Sequence, residues 1–275
     1  MSLKEELIEL VVKSVAESED RKFFRKPLVG FSAADDPLYM QLKEIVGPEH
    51  LSPQDIFSRS KTVLSFFIPF SKEVVLSNRK QRSVSTLWAE SYLKANALIG
   101  EISEKLITYL EGKGIAAATV RATHNFDEKT LKCSWSHRSA AYIAGLGKFG
   151  VNRMLITQIG SAGRYGTVFI SHQIPADTRP EKEYCIYYQK GSCLVCVKSC
   201  PVNALDRDSF DRLKCYDRLL ENSQQFTALG NCDVCGKCAT AGPCAIIDSE
   251  KMRRQTTCTR PRTHQKKDSS QKETV

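Results

Sequence analysis

The sequence lacks any apolar run that approaches the ~20 residues needed to cross a membrane. A secretory segment is missing too, because apolar side chains in residues 1–15 recur at helical spacing with charges between them, as in an amphipathic helix. We therefore expect a cytoplasmic protein without membrane association. Thiols stay reduced in that compartment, so the eleven cysteines indicate metal ligation before disulfides.

Positive charge is concentrated at the end of the chain. The formal net charge is +9, and from Lys251 onwards eight Lys and Arg stand against only Asp268 and Glu273. This segment has no apolar periodicity, so we expect residues 250–275 to form a disordered basic tail. Such a tail can contact RNA or an acidic protein, and a nucleic-acid-binding protein with structural metal clusters is one alternative. It can equally serve only solubility.

Residues 1–180 alternate between short strand-like and longer helix-like segments. β-branched or aromatic runs bounded by Gly or Pro occur at 27–32, 62–70, 114–121, 153–158 and 166–171. Apolar residues recur at steps of three and four from Trp88 to Leu110, which predicts one strong helix. The alternation predicts an α/β domain, and for the chain as a whole we expect an α+β or α/β fold.

Strand-like segments are missing after about residue 180. All cysteines except Cys133 lie from Cys185 to Cys258, separated by short polar helix-like segments. A segment with so few aliphatic residues buries little apolar surface, so metal ligation has to supply its folding free energy. We expect residues 181–249 to form a ferredoxin-like domain.

The first cysteine of a bacterial iron–sulfur signature is also missing. The signature C-x2-C-x2-C-x3-C-P ends here with Cys193, Cys196 and Cys200, while Lys190 occupies the first position. A second run, C-x2-C-x2-C-x5-C, comprises Cys232, Cys235, Cys238 and Cys244. The last cysteine of each such run usually binds the other cluster, which makes Cys200 and Cys244 candidate cross-ligands.

Zinc is the main alternative metal, because paired C-x2-C knuckles also build ribbon sites. However, 35 residues lie between Cys196 and Cys232, whereas a ribbon usually has about 15–20. Two four-iron clusters need eight thiolates, and the two runs supply seven. Cys185 and Cys215 are both candidates for the eighth.

The glycine-rich stretch lacks the acidic residue that a dinucleotide site requires. Gly145, Gly147 and Gly150 match G-x-G-x-x-G, but a helix-like segment precedes them and the region near Ile170 carries no carboxylate. We expect these glycines to form a tight turn packed in the core.

The same stretch resembles a sequence block of the epoxyqueuosine reductase family, iron–sulfur proteins related to reductive dehalogenases. The matching residues are Ala144 to Gly147, Gly150, Asn152, Leu155, Ile156, Gly160 and Ser161. The segments KGSCLVCVKSCPVNAL and LKCYDRLLE resemble the cluster region of that family. The resemblance covers residues 20–248.

The resemblance implies a nitroreductase-like α/β domain in residues 1–180 and two 4Fe–4S clusters in residues 181–249. The clusters would pass electrons from a low-potential donor to cobalamin, or less plausibly to a flavin, and the implied reaction removes the epoxide oxygen from a modified tRNA base. The residues expected to bind the cofactor are Gly145, Gly147, Gly150 and Asn152.

In that family the counterpart of Cys215 completes a cluster, so the resemblance favours Cys215 over Cys185 as the eighth ligand. The expected metal ligands are then Cys193, Cys196, Cys200, Cys215, Cys232, Cys235, Cys238 and Cys244.

The aspartate that serves the family as proton donor has no counterpart at the expected position, which is Leu131. Asp127 and Glu128 lie nearby, and His137 is an alternative acid, with His124 also near the turn. We also expect no C-terminal helical-repeat domain, which would help that family to hold tRNA, so the basic tail is the expected tRNA contact. We therefore consider two functions: an epoxyqueuosine reductase-like iron–sulfur reductase, and a ferredoxin-like electron carrier that docks on a partner without substrate chemistry of its own.

Overall fold

A four-stranded antiparallel sheet forms the centre of the computed structural model, which describes residues 1–80, 82–121, 126–127 and 129–248. Its strands are β1 (Leu28–Ala33), β2 (Thr62–Pro69), β3 (Ala117–Thr119) and β6 (Gly163–Ile170). Their order across the sheet is β1–β2–β6–β3. A separate small ladder pairs β4 (Gly147–Phe149) with β5 (Leu155–Thr157).

Each of the five predicted strand segments overlaps a strand, and the strand pairing decides between the two expected fold classes, α/β and α+β. Helices alternating with strands favour a parallel sheet, whereas every strand pair here is antiparallel. The chain therefore has a mixed α+β fold and not an α/β one. The small ladder makes the sequence from Gly147 to Thr157 a hairpin beside the main sheet.

Ten α-helices surround the sheet or follow it in the described residues. They are α1 (Leu3–Glu17), α2 (Pro37–Ile45), α3 (Pro53–Ile56), α4 (Lys72–Lys80), α5 (Thr86–Glu111), α6 (His137–Ile143), α7 (Ile186–Lys190), α8 (Val195–Lys198), α9 (Arg212–Ser223) and α10 (Lys237–Ala241). After Ile170 the described residues contain short helices and no strand, as expected from the sequence. None of the helices in the described residues is long and apolar enough to cross a membrane.

The two faces of the sheet pack against different helices because successive strand side chains point to opposite sides. Leu64 and Val168 belong to the large core that α1, α4 and α5 cover. Val63 and Phe169 pack on the other face with Trp135 and with residues of α2 and α6. Helix α6 is thereby held against the sheet, and the glycine-rich turn follows directly after it.

Helix α5 confirms the strong helix predicted from the apolar periodicity. The Ser85 hydroxyl accepts a hydrogen bond from the Trp88 backbone N–H and caps its first turn. The apolar residues at steps of three and four are buried along one side, against β6 and α1. Trp88 and Tyr92, near the start of this helix, reach the cysteine-rich region.

Candidate metal centres and cofactor cavity

A small enclosed cavity is lined by four cysteines, Cys185, Cys193, Cys196 and Cys244. Three of them come from the first cysteine-rich stretch, and Cys244 comes from the end of the second. Burial, together with the charges of the other three cysteines, raises the pKa of the Cys244 thiol to about 12. These four thiols, the first group, therefore lie close enough to influence one another.

Four other cysteines form a second group: Cys200, Cys215, Cys235 and Cys238. Burial raises the pKa of Cys238 to about 12, a value that includes the effects of the other three cysteines of this group and of Cys196 from the first group. Burial similarly raises the pKa of Cys215 to about 11, with contributions from Cys235 and Cys200. The two groups are thus neighbours. Cys200 and Cys244 each lie with cysteines of the other run.

Cys232 belongs to neither group. Its side chain is fully buried in the core beneath α5, and its Sγ atom lies 3.6 Å from the carbonyl oxygen of Ala89. Burial and the charge of Asp233 raise its pKa to about 11, without a contribution from another cysteine. The structure thus places Cys185, and not Cys232, beside three other thiols.

The spacing of the thiols bears on the choice between zinc and iron–sulfur clusters. In the described part of the chain, no three His, Cys, Asp or Glu side chains are placed to hold a single metal ion. A structural zinc site requires four ligands around one ion at about 2.3 Å for sulfur. A cubane instead distributes its thiolates over four irons, which keeps the cysteines farther apart.

Helix α4 anchors the second group to the main fold. The Asn78 side-chain amide donates a hydrogen bond to the carbonyl oxygen of Cys235 at 2.9 Å. Arg79 donates to the carbonyl oxygens of Thr240 and Gly242, at the far end of α10. Side chains of α4 therefore hold the backbone of the cysteine-rich segment on both sides of Cys238.

The glycine-rich turn is packed as tightly as the sequence predicts. A Cβ atom at Gly147 would lie 2.2 Å from the carbonyl oxygen of Ile156, on the paired strand. Only glycine lets the two backbones of this hairpin approach so closely. Gly145 packs against the backbone of Thr178, and of the three glycines of the block only Gly150 lines the large cavity described below.

Asn152 lies at the end of this block and lines the small cavity beside the first cysteine group. Its side chain is 4% exposed, and its Oδ1 atom accepts a hydrogen bond from the Met154 backbone N–H at 3.2 Å. The Nδ2 atom is buried without a hydrogen-bond partner. A buried donor of this kind is rare in native proteins and needs an acceptor. Sulfur atoms bound between the four cysteines would supply one, so the residues present fit an iron–sulfur cluster.

A cavity of about 760 Å³ lies between α2, α6 and α9. This volume is within the range of roughly 300–1,000 Å³ found for cofactor and ligand sites. Aromatic side chains contribute much of its wall: Tyr92, Phe126, Tyr142, Phe149, Tyr188, Phe210 and Tyr216. Cys215 lines this cavity as well, so the second cysteine group borders directly on it.

The walls of this large cavity carry a strong excess of positive charge. The cationic residues are Lys132, Arg138, Arg153, Arg164 and Arg212, against one carboxylate, that of Asp233. No ion pair involves any of the five within the described residues. The Arg138 side chain is open to the cavity but surrounded by protein, and the resulting desolvation lowers the pKa of its guanidinium.

Neither of the two candidates for a proton donor, Asp127 and His137, lines the large cavity among the described residues. Asp127 is exposed, and its Oδ1 accepts hydrogen bonds from Thr130 and Lys129 in a surface turn. The bonds from Thr130 hold the pKa of Asp127 below its usual value. Glu128 and His124 lie outside the described residues, as do the basic tail and Cys258.

His137 faces the sheet. Its Nδ1 atom accepts from the Thr167 hydroxyl and its Nε2–H donates to the carbonyl oxygen of Arg121, both at 2.8 Å. Because the carbonyl can only accept, this arrangement holds the neutral imidazole with the proton on Nε2. Burial lowers its pKa to about 4. His137, the first residue of α6, therefore joins the start of this helix to β6 through Thr167.

Comparison with known proteins bears on the fold. No protein-family model matches the sequence, and no curated protein matches it. Among solved structures, the epoxyqueuosine reductase of Bacillus subtilis matches with a TM-score of 0.57 at 20% identity, over 88% of this chain and 64% of that chain. That of Streptococcus thermophilus matches with a TM-score of 0.56 at 17% identity, over 91% of this chain and 70% of that chain. A catabolic reductive dehalogenase matches with a TM-score of 0.57 at 17% identity, over 84% of this chain and 31% of that chain.

The chain has an epoxyqueuosine reductase-like fold. This confirms the resemblance seen in the sequence, and the reductive dehalogenases share the fold. The chain spans 64–70% of the length of these epoxyqueuosine reductases. The nitroreductase-like and ferredoxin-like division of the fold stays a prediction.

Proposed function

We propose that this chain is an iron–sulfur reductase with two 4Fe–4S clusters next to a cavity for a reducible cofactor or substrate. The observation that carries this proposal is the position of Cys215, which belongs to the second cysteine group and also lines the large cavity. A cluster bound there would stand in the wall of the cavity, and the first group would adjoin it through Cys196 and Cys238.

The proposed ligands differ in one residue from those expected from the sequence. One cluster is held by Cys185, Cys193, Cys196 and Cys244, and the other by Cys200, Cys215, Cys235 and Cys238. Cys185 replaces Cys232, because Cys232 is packed under α5 with its sulfur near a backbone carbonyl. Eight thiolates are then available for two clusters without using Lys190 or any residue of the tail.

When bound, the clusters would supply electrons at low potential to the large cavity. The chain contributes the surroundings of the second group, where Cys215 and Cys238 are desolvated by the protein. The backbone N–H of Ala204 donates to the Sγ atom of Cys200 at 3.2 Å. Asn78 and Arg79 keep the segment from Cys235 to Gly242 in place.

The proposed occupant of the large cavity is a corrinoid, with a flavin as the alternative. The volume and the aromatic walls of the cavity suit a large, flat cofactor. One structural neighbour is described as a reductive dehalogenase with B12-dependent dehalogenation, at 16% identity and a TM-score of 0.57. Of the four residues of the glycine block expected to bind the cofactor, Gly150 lines this cavity, whereas Gly145, Gly147 and Asn152 serve the turn and the cysteine cavity.

The proposed substrate is an epoxide-bearing base of a tRNA, as in the epoxyqueuosine reductases. One such enzyme has been solved with an epoxyqueuosine-modified tRNA stem loop, at 20% identity and a TM-score of 0.57. The cationic walls of the large cavity support an RNA ligand, because unpaired Arg and Lys side chains attract phosphates. In this proposal the cavity wall, and not only the basic tail, contacts the nucleic acid.

Anaerobic reconstitution followed by corrinoid titration tests the proposal. The loaded protein should contain about eight irons, four for each cluster. Added cob(II)alamin should change its electron paramagnetic resonance signal towards the form without the lower axial base. Two tightly bound zinc ions in place of iron would overturn the cluster assignment. An unchanged cobalt signal at saturating protein would overturn the corrinoid.

The second candidate function is a ferredoxin-like electron carrier that docks on a partner. The placement of Asp127 and His137 outside the large cavity favours it, because a reductase of this kind needs an acid near its substrate. A protein that holds eight irons, reduces a partner protein and binds no corrinoid would be this carrier.

A further inference from the structure

The side chain of Asn152 is fixed in one orientation. Its Oδ1 atom accepts from the Met154 backbone N–H, so the Nδ2 atom forms the opposite, free end of the amide. A Cβ atom at Gly150 would lie 3.0 Å from Oδ1, which shows how closely the turn encloses this side chain. The amide cannot rotate to exchange its two ends without losing the bond to Met154.

The unpaired Nδ2–H group lies in apolar surroundings. Besides Asn152 and the four cysteines of the first group, the residues that line the small cavity are Val151, Ile156, Ile186, Gly242 and Pro243. Burying an amide donor without an acceptor costs free energy. Nothing in the described residues offsets this cost, because Nδ2 has no protein acceptor. An acceptor for this N–H group would therefore have to belong to a group bound in the cavity.

We propose that Asn152 donates an N–H hydrogen bond to a sulfur of the cluster held by Cys185, Cys193, Cys196 and Cys244, and thereby raises its reduction potential. This inference rests on the proposed function, since it requires a cluster in the small cavity. Reduction adds negative charge to the cluster, and a fixed donor stabilises the more negative form. The apolar walls strengthen the effect because they reduce dielectric screening.

The second cysteine group offers a contrast that makes the inference testable. There the donor near a cysteine sulfur is the Ala204 backbone N–H, which a side-chain substitution leaves in place. At the first group the donor is a side chain and can be removed. Substitutions of Asn152 should therefore change the potential of one cluster and leave the other as an internal reference.

The experiment compares the reconstituted wild-type protein with Asn152→Leu and Asn152→Asp in a redox titration followed by electron paramagnetic resonance. We expect one of the two clusters in Asn152→Leu to be harder to reduce. A tenfold drop in its reduction equilibrium corresponds to about 59 mV for a one-electron step. Asn152→Asp should lower the potential further, because a carboxylate adds negative charge and Oδ1 can still accept from Met154.

A matched control is Ser65→Ala. The Ser65 hydroxyl is also buried without a partner but lies in the middle of β2, away from the cysteines. Both cluster potentials should be unchanged in this variant. Electron–nuclear double resonance after exchange into D₂O should show an exchangeable proton at the reduced cluster in the wild type and in Ser65→Ala, and its loss in Asn152→Leu.

The inference is overturned if Asn152→Leu retains its full iron content and both potentials equal those of the wild type. If Asn152→Leu loses iron, the same comparison is made with Asn152→Asp, whose shape is nearly that of asparagine. A wild-type protein that takes up no cluster refutes the proposed function itself, and this outcome is distinct from a loaded protein whose potentials do not respond.

Discussion

The Lys237 ammonium nitrogen lies 2.7 Å from the carbonyl oxygen of Asn78 and 3.2 Å from its side-chain Oδ1 atom. Lys237 is the first residue of α10 and Asn78 lies in α4, so this contact joins two segments 159 residues apart in the sequence. Lys237 also donates to the carbonyl oxygen of Ser83. Desolvation lowers the pKa of its buried ammonium group, and these oxygens compensate part of that cost.

Replacing Asn78 by Ala should destabilise the protein and loosen the second cysteine group. The variant loses the bonds of Asn78 to the Cys235 carbonyl, to the Ser85 N–H and to Lys237, the first partly buried and the other two buried. At about 1 kcal/mol for each buried hydrogen bond, the free energy of unfolding should fall by about 3 kcal/mol. Urea unfolding measures the loss. Lys80→Ala, at an exposed position of the same helix, should change little, and equal stability of the two variants would contradict the prediction.

Replacing Gly236 by Ala should cost more than the backbone conformation alone explains. Gly236 has a φ angle of +69°, and a Cβ atom there would lie 2.3 Å from the ring of Trp88. Gly191 has nearly the same φ of +70° with nothing within 4 Å, so Gly191→Ala isolates the conformational cost of about 1–2 kcal/mol. We expect Gly236→Ala to lower the free energy of unfolding by about 1 kcal/mol more than Gly191→Ala does. Thermal unfolding of both variants measures the difference.

The double variant Gly236→Ala, Trp88→Leu distinguishes the cause. A smaller side chain at position 88 relieves the contact, so the two substitutions together should cost less than the sum of their separate effects. Strict additivity would show that Trp88 does not restrict position 236.

Acid should destabilise the protein in part through His137. Its pKa is lowered to about 4 in the folded state, so the unfolded chain takes up the proton first as the pH falls. The free energy of unfolding should therefore drop as the pH falls from about 6.5 towards 4, by about 2 kcal/mol at pH 5. Urea midpoints at pH 7.5 and pH 5 should show a smaller drop for His137→Gln. His172→Gln, at an exposed position, should keep the wild-type drop.

Two cysteine substitutions should have opposite effects on iron content. Cys185→Ser should lose about four of the eight irons, because one cluster loses a ligand. Cys232→Ala should retain all of them, although the buried thiol leaves a small cavity and lowers stability. Iron analysis of the reconstituted variants decides between the two ligand sets. Iron loss in Cys232→Ala with full iron in Cys185→Ser would restore the set expected from the sequence.

Local features of the fold could be predicted from the sequence, whereas long-range pairings could not. Five of the six strands in the described residues overlap short β-branched or aromatic runs, and α5 carries a strong apolar periodicity, so these elements are visible in short windows. Strand β4, with the sequence GKF, has no such run and was not predicted. The antiparallel order of the strands depends on how the chain returns to the sheet. That choice is made by packing of distant segments, which the alternation of helices and strands does not reveal.

The cysteine assignments show the same limit. The run of Cys232, Cys235 and Cys238 has equal spacing, but packing under α5 removes the first of them from the group. Cys185 lies eight residues before Cys193, and α7 followed by Gly191 with φ of +70° returns the chain to the small cavity. A ligand set predicted from motif spacing assumes a short loop between successive cysteines, whereas helix α7 lies between Cys185 and Cys193.

Helix α4 couples the stability of the main sheet to that of the cysteine-rich segment. Its apolar side is part of the large core, while Asn78 and Arg79 hold the backbone around the second cysteine group. The binding free energy of a cluster in that group would therefore stabilise the antiparallel sheet as well, through thermodynamic linkage. Loss of iron would then lower the melting temperature of the whole molecule in one cooperative transition, and the cysteine-rich segment would not melt separately.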